Sequence, residues 1–331
     1  MLLSTIVVSA GTRDLLEQCL GSATAAMASL DSELIVVDNA STDGSPEMVK
    51  EKFPGVRVIA NDSNVGFATA SNQGLRACSG QFALLLNSDT VVSPDALAAL
   101  VEFMVERPLA GIVGPRLVGG DGATQASASD LPGLRMQIGS FLGLRHLVPR
   151  SAAQALAKTP GLGRAIETLS AGYFTPALSS RPRQRAPRQV GFISGAGLLA
   201  RREMWEQIGV LDERIFLFLE DADWCRRAGE AGWELWYVPE VTIVHLGGQS
   251  FRARSGGRSH HISRERCTSL IYYFNKHEPA WKVSLLKLVV LSSLRARLVK
   301  LVVRRAARKI DSEAYAADAS LLRDLLRVTR D

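Results

Sequence analysis

Through the first 115 residues, short apolar runs rich in β-branched residues alternate with segments whose apolar positions recur every three or four residues. Alternation of that kind is the signature of strands and helices taking turns around a parallel sheet. It predicts strands over residues 3–9, 33–38, 56–60, 82–87 and 110–114. Helix starts are read at Ser45-Pro46-Glu47 and Ser93-Pro94-Asp95, each a capping serine with proline in the first turn. The expected fold class is therefore α/β, with a mainly parallel central sheet flanked by helices. Such a sheet binds its ligand at the carboxyl ends of its strands.

From 127 to 189 the period weakens, ending in the Pro/Arg-rich stretch 179–188, which reads as a partly helical insertion. Regular structure resumes at Gly191 with helices near 202–208 and 222–231 and strands near 234–238 and 242–245. Residues 1–255 are read as one catalytic domain carrying that insertion, and 256–331 as a helical, basic, amphipathic extension. In the extension, Leu285, Leu288, Val289, Ser292, Ala296, Val299, Val303, Ala306, Ala307 and Ile310 share one face free of Lys and Arg. Lys287, Arg295, Arg297 and Lys300 interrupt the roughly 20 apolar residues that a membrane span needs. Residues 281–310 suit the anionic surface of a membrane. Packing of the apolar face on the catalytic domain, or on a second subunit, is the alternative.

Charge sharpens this division. Residues 1–140 hold 8 Lys and Arg against 15 Asp and Glu, whereas 141–331 hold 31 against 18. The basic half carries few aromatics that would stack on bases, so nucleic acid is not the expected partner. The four cysteines form no Cys-x-x-Cys pair, which suggests neither a zinc site nor a disulfide framework and fits a reducing compartment. The amino-terminal apolar run has no basic flank and reads as a buried strand, so no signal peptide is expected.

Four segments carry candidate chemistry. The strand ending in Asp38 runs into Asn39, Ser41 and a polar loop that suits a nucleoside, although an ordinary Asx-capped turn would look the same. A dinucleotide-binding unit would need G-x-G-x-x-G after the first strand, and that turn reads Ser9-Ala10-Gly11-Thr12-Arg13. The strand at 82–87 ends in Asn87-Ser88-Asp89, two oxygen-bearing side chains two residues apart. Such a pair can hold a divalent cation, with Asp89 as the anionic ligand, or can cap a turn. Glu220, Asp221 and Asp223 crowd the start of a helix after an apolar run. They suit the helix dipole, and they also suit sugar transfer, which needs one carboxylate to take the acceptor's proton; Asp221 is the candidate base. Finally, His245 ends an apolar strand at the mouth of a glycine-rich loop containing Arg252, Arg254 and Arg258. It is read either as a structural histidine or as a ligand for metal or diphosphate, with the loop ordering over the donor.

In this order the segments resemble glycosyltransferase family 2, whose nucleotide-sugar-binding fold is called GT-A. The resemblance rests on 36–45, Asn64-Val65-Gly66-Phe67 with Asn72, Leu86-Asn87-Ser88-Asp89, Ser194-Gly195-Ala196, Glu220-Asp221-Ala222-Asp223 and Val244-His245. It implies donor contacts from Asp38, Asn39, Ser41, Asn64, Gly66, Asn72, Asn87 and Ser88. It further implies Mg2+ or Mn2+ on Asp89 and His245, catalysis by Asp221 with Glu220, and acceptor contacts from Gly195, Asp223 and Trp224. The bacterial rhamnosyltransferase branch is most similar, which implies dTDP-L-rhamnose as donor and a glycan or lipid-linked acceptor in surface polysaccharide or cell-wall synthesis. Location would be cytoplasmic, peripheral at the inner face of the cell membrane. One departure stands out: family members commonly place an aromatic residue and Asn after the first strand, where this chain has Ala10-Gly11. Two other classes stay open, an inactive nucleotide-sugar-binding or membrane-scaffold protein and a nucleotidyltransferase.

Overall fold

The computed structural model describes residues 1–141, 186–247 and 260–330. Most of the Pro/Arg-rich stretch, and the loop with Arg252, Arg254 and Arg258, lie outside the described residues. The chain divides into two compact units, Met1–Leu131 with Arg181–Gly257, and Pro132–Ser180 with Arg258–Asp331.

In the first unit the predicted strands form. They are β1 (Leu3–Ser9), β2 (Ser32–Asp38), β3 (Arg57–Ala60), β4 (Phe82–Asn87) and β6 (Ala110–Val118), with the short β5 (Thr90–Val92) following the turn after β4. Helices α1 (Arg13–Met27), α2 (Ser45–Lys52), α3 (Phe67–Ala77) and α4 (Ala96–Val105) alternate with them. After the insertion come β10 (Gly197–Arg201), α6 (Arg202–Ile208), α7 (Glu220–Glu230) and β11 (Glu234–His245), which joins both predicted strands across a bulge between Val238 and Thr242. The short pieces β7 (Ala128–Ser129), β8 (Arg188–Gln189) and β9 (Phe192–Ile193) complete it.

Spatially the main sheet runs β3-β2-β1-β4-β10-β6-β11-β5, with β8 on β11, while β7 and β9 pair separately. β3, β2, β1 and β4 are mutually parallel and so are β6 and β11; β10 lies antiparallel between β4 and β6. Leu84, Leu86, Val36 and Val7 from the strands meet Leu16, Leu20, Leu97 and Leu100 from the helices in a continuous buried core. That burial explains why the central strands read as unbroken apolar runs rather than as alternations.

The serine caps do not form. Ser45 Oγ donates to Asp43 Oδ1 at 2.5 Å and Ser93 Oγ donates to Thr242 O at 3.2 Å, while Gly44 and Asp95 take the cap positions without side-chain bonds. Pro46 stands in the first turn of α2, where its fixed φ and missing N–H cost nothing, whereas Pro94 precedes the Asp95 cap and lies outside α4.

The second unit contains α5 (Leu134–Phe141), α8 (His260–His277), α9 (Ala280–Ala306) and α10 (Ser312–Arg330). α9 packs on α10 and α5, and Ser293 Oγ donates to Phe141 O at 2.9 Å. Thus part of the predicted insertion sits with the carboxyl-terminal helices. α9 buries Val283, Leu286, Val290, Leu294 and Leu301. Within the unit the packing face is thus a second apolar row and not the cation-free stripe. The stripe lies on the opposite side, because residues 283, 286, 290, 294 and 301 are offset by about half a turn from 281, 285, 288, 292, 299 and 303.

Candidate active site

Pairing brings the first residues of the site together. Parallel registration aligns Ser9 with Asp38 and Val8 with Asn87, so the strand ends carrying the candidate chemistry share one sheet edge. Antiparallel pairing of His245 with Thr90 then delivers the histidine next to Asp89.

The nucleoside-side loop is closed on itself. Asp38 Oδ2 accepts from Ser41 N at 2.9 Å, and Ser41 Oγ accepts from Gly11 N at 2.8 Å. The Asx-type turn therefore forms. Gly11 has φ +67°. Asp38 is buried, and its Oδ1 has no hydrogen-bond partner. An acceptor left over at a strand's carboxyl end is available to a ligand N–H or O–H, and its burial makes an unfilled position costly. Asn39 instead ties loops: its amide donates to Asn64 Oδ1 (2.8 Å) and Gly66 O (3.3 Å), and its Oδ1 accepts from Val65 N.

Gly66 begins α3 at φ +87°, and a Cβ there would lie 2.6 Å from Phe216 O. Phe67 N donates to that same carbonyl at 2.8 Å. Only glycine satisfies both the left-handed backbone and the close approach. Its role is to seat α3 against the 216 segment.

At the β4 end, Ser88 Oγ joins Thr12 Oγ1 (3.0 Å) and Ser9 Oγ (3.1 Å from Thr12) in a buried hydroxyl chain. Asp89 Oδ1 lies 3.3 Å from His245 Nε2, and Asn87 Nδ2 lies 3.3 Å from the same nitrogen. Gln125, which the sequence reading did not single out, grips the histidine twice. Its Nε2 donates to His245 O at 2.7 Å, which turns its Oε1 toward His245 Nδ1, also at 2.7 Å. The neutral ring therefore carries its hydrogen on Nδ1 and directs the Nε2 lone pair at the Asp89 carboxylate. Two acceptors facing each other at that separation repel unless a cation or proton lies between them. The arrangement fits a divalent ion on Asp89 and His245. Among the described residues no cluster of three or more His, Cys, Asp or Glu could hold a metal, so diphosphate and water would fill the other positions.

The acid cluster opens α7. Phe218 and Leu219 precede it at φ +67° and +72°, a strained pair that sequence pattern does not disclose. Asp221 Oδ2 accepts from Gly195 N at 2.9 Å and its Oδ1 from Ala222 N at 2.8 Å. The neighbouring Ala196 O accepts from Asn87 N at 3.3 Å, so one short loop touches both the acid helix and the β4 end. Glu220 is buried with Oε2 unpartnered; burial first, then the charge of Asp221, push its carboxyl well above the usual range.

Three expected contacts are corrected. Asn72 is fully buried, its Nδ2 donating to Leu211 O and Glu213 Oε1 and its Oδ1 accepting from Leu211 N, which leaves no group for a donor. Trp224 is likewise buried and donates from Nε1 to Gly209 O at 2.9 Å. Asp223, also fully buried, pairs with Arg227 Nε at 2.8 Å, and Arg227 donates onward to Ile208 O and Val210 O. All three side chains fasten one element to another.

A sheet of this order, with the Asp38 loop, the Asp89–His245 pair and the clamped Asp221 carboxylate at its strand ends, is that of a glycosyltransferase of the GT-A fold. The chain belongs to the family described as Glycosyl transferase family 2, which matches residues 4–208, and is a rhamnosyltransferase-like member of it. It is 28% identical over 293 residues to N-acetylglucosaminyl-diphospho-decaprenol L-rhamnosyltransferase of Mycobacterium tuberculosis, covering 83% of this chain and 86% of that one. Among solved structures, mannosyltransferase PcManGT from Pyrobaculum calidifontis, in complex with GDP-Man and Mn2+, is similar with a TM-score of 0.52 and 18% identity, covering 98% of this chain and 85% of the other. GalNAc-T7 with UDP, GalNAc and Mn2+ is similar with a TM-score of 0.53 and 16% identity, over 83% of this chain and 48% of the other.

Proposed function

We propose that the chain is an inverting, metal-dependent glycosyltransferase that moves L-rhamnose from dTDP-rhamnose to a hydroxyl of a glycan or lipid-linked acceptor in cell-surface polysaccharide synthesis. The observation that carries the reading is the Asp221 carboxylate held by Gly195 N, in the loop that also bonds the Asn87 end of β4. A base must stand fixed beside the donor's reacting carbon, and that loop ties the two. The rhamnose and the lipid-linked acceptor are supported by the likeness to the mycobacterial enzyme, whose name states both.

In this reading Asp38 receives the base of the nucleotide through its unpartnered oxygen, and Ser41 and Asn64 shape the loop around it. Asp221 takes the proton of the acceptor hydroxyl as that oxygen attacks the anomeric carbon in line, and the configuration inverts. Magnesium or manganese on Asp89 and His245 would supply charge stabilisation for the leaving diphosphate. Burial and the charge of Asp221 push the Glu220 carboxyl well above the usual range, which disfavours a second charge beside the base. The reaction is placed at the inner face of the cell membrane. Among the described residues no helix is long and apolar enough to cross it.

Incubation with dTDP-rhamnose, a divalent ion and acceptor should release dTDP. Asp221→Asn should lower kcat by about 10²–10⁴-fold while dTDP still raises the melting temperature. Pyrophosphate as product would identify a nucleotidyltransferase instead, and full turnover by Asp221→Asn would remove the base.

A further inference from the structure

Helix α9 has two apolar faces, and among the described residues only one is buried inside its unit. Opposite the packed residues, Trp281, Leu288, Val299 and Val303 are 62, 59, 63 and 60% exposed, with Leu285 and Val302 exposed beside them. Steps of three and four residues from Trp281 through Leu285, Leu288, Ser292, Ala296, Val299 and Val303 to Ala306 make a continuous stripe about 38 Å long at 1.5 Å per residue. Isolated surface leucines are ordinary, but an aligned row of this length marks an interaction face.

Charge decides what covers it. α9 contains Lys282, Lys287, Arg295, Arg297, Lys300, Arg304 and Arg305 and no acid. A second copy docked stripe to stripe would oppose two such sets with no compensating carboxylate in either helix, a repulsion within the range that salt leaves unscreened. On the helical wheel Arg295 borders the stripe on one side and Lys300 on the other, next to Lys282, which pairs with Glu278. Cations rimming an apolar row, on a helix unable to span a bilayer, is the arrangement of a helix lying in the plane of a membrane interface.

We propose that the Trp281–Leu285–Leu288–Val299–Val303 stripe is a docking face for an anionic lipid bilayer, with α9 lying along the surface and its stripe inserted at the headgroup boundary. This deepens the placement of the enzyme at the membrane and rests on it. The opposite face of the same helix stays packed on α5 and α10, so docking needs no unfolding of the unit.

The test uses the full chain and co-sedimentation with phosphatidylcholine vesicles with or without phosphatidylglycerol. Binding is expected only with phosphatidylglycerol, weakening as salt rises. A variant combining Leu285→Gln, Leu288→Gln and Val303→Gln should lose about tenfold or more of that binding with an unchanged melting curve, since Gln is a good helix former and these positions are exposed. Absence of binding, or binding indifferent to the substitutions, would overturn the proposal. So would a concentration-dependent dimer that the same substitutions abolish, which would assign the stripe to a second copy. Nucleoside diphosphate release measured without vesicles separates the two readings: its loss with vesicle binding intact removes the catalytic assignment alone.

Discussion

Gln125 shows how much of a site can rest on an uncharged side chain. By fixing the His245 ring with one amide and pointing Nε2 at Asp89, it does for a metal-type pair what partners of ligating histidines commonly do. Gln125→Leu is expected to weaken Mn2+ binding by about 10–100-fold, measured by titration of the free protein, whereas Gln125→Glu keeps an acceptor for Nδ1 and should retain most of the affinity. Glu220 makes a second prediction at this scale. Its folded carboxyl holds its proton more tightly than the unfolded chain does, so stability falls as pH rises above the unfolded value of about 4.3. Glu220→Gln removes that loss. The variant should melt higher than wild type at pH 8, and its advantage should vanish as pH drops to about 4; melting curves across that range decide it.

At the scale of elements, α7 is anchored by the same acids that open it. Asp223 is paired with Arg227, which in turn holds the 208 and 210 carbonyls, so in the proposed mechanism the chemistry falls to Asp221 with Glu220. Asp223→Ala strands a partly buried guanidinium. It is expected to cost about 3–5 kcal/mol of stability, read by denaturant unfolding, with any residual folded fraction retaining nucleotide binding. The strands and helices were legible because buried parallel strands are apolar throughout and prolines punctuate helix starts. The division of labour within Glu220-Asp221-Ala222-Asp223 was not, since residue type shows where charge is and not which charge already has a partner. Asn72 and Trp224 misled for the same reason: a polar or aromatic side chain that fastens two elements has the same sequence signature as one that meets a ligand. For α9 the apolar row was visible, but the wheel carries two of them, and only packing shows which one is taken.

For the molecule as a whole, the sheet order has a temporal meaning. Among the described residues β5 pairs only with β11, and β6 receives β10 on one side and β11 on the other. A chain made from its amino end exposes the β5 and β6 edges once residue 118 has emerged, yet the strand that closes both ends at His245. At usual synthesis rates of about 5–20 residues per second, that interval is on the order of ten seconds. Throughout it the nascent sheet has open edges able to pair with other chains, and the histidine expected to meet Asp89 is among the last residues of the sheet to arrive. The ribosome thus completes the sheet and the metal-type pair in a single late event.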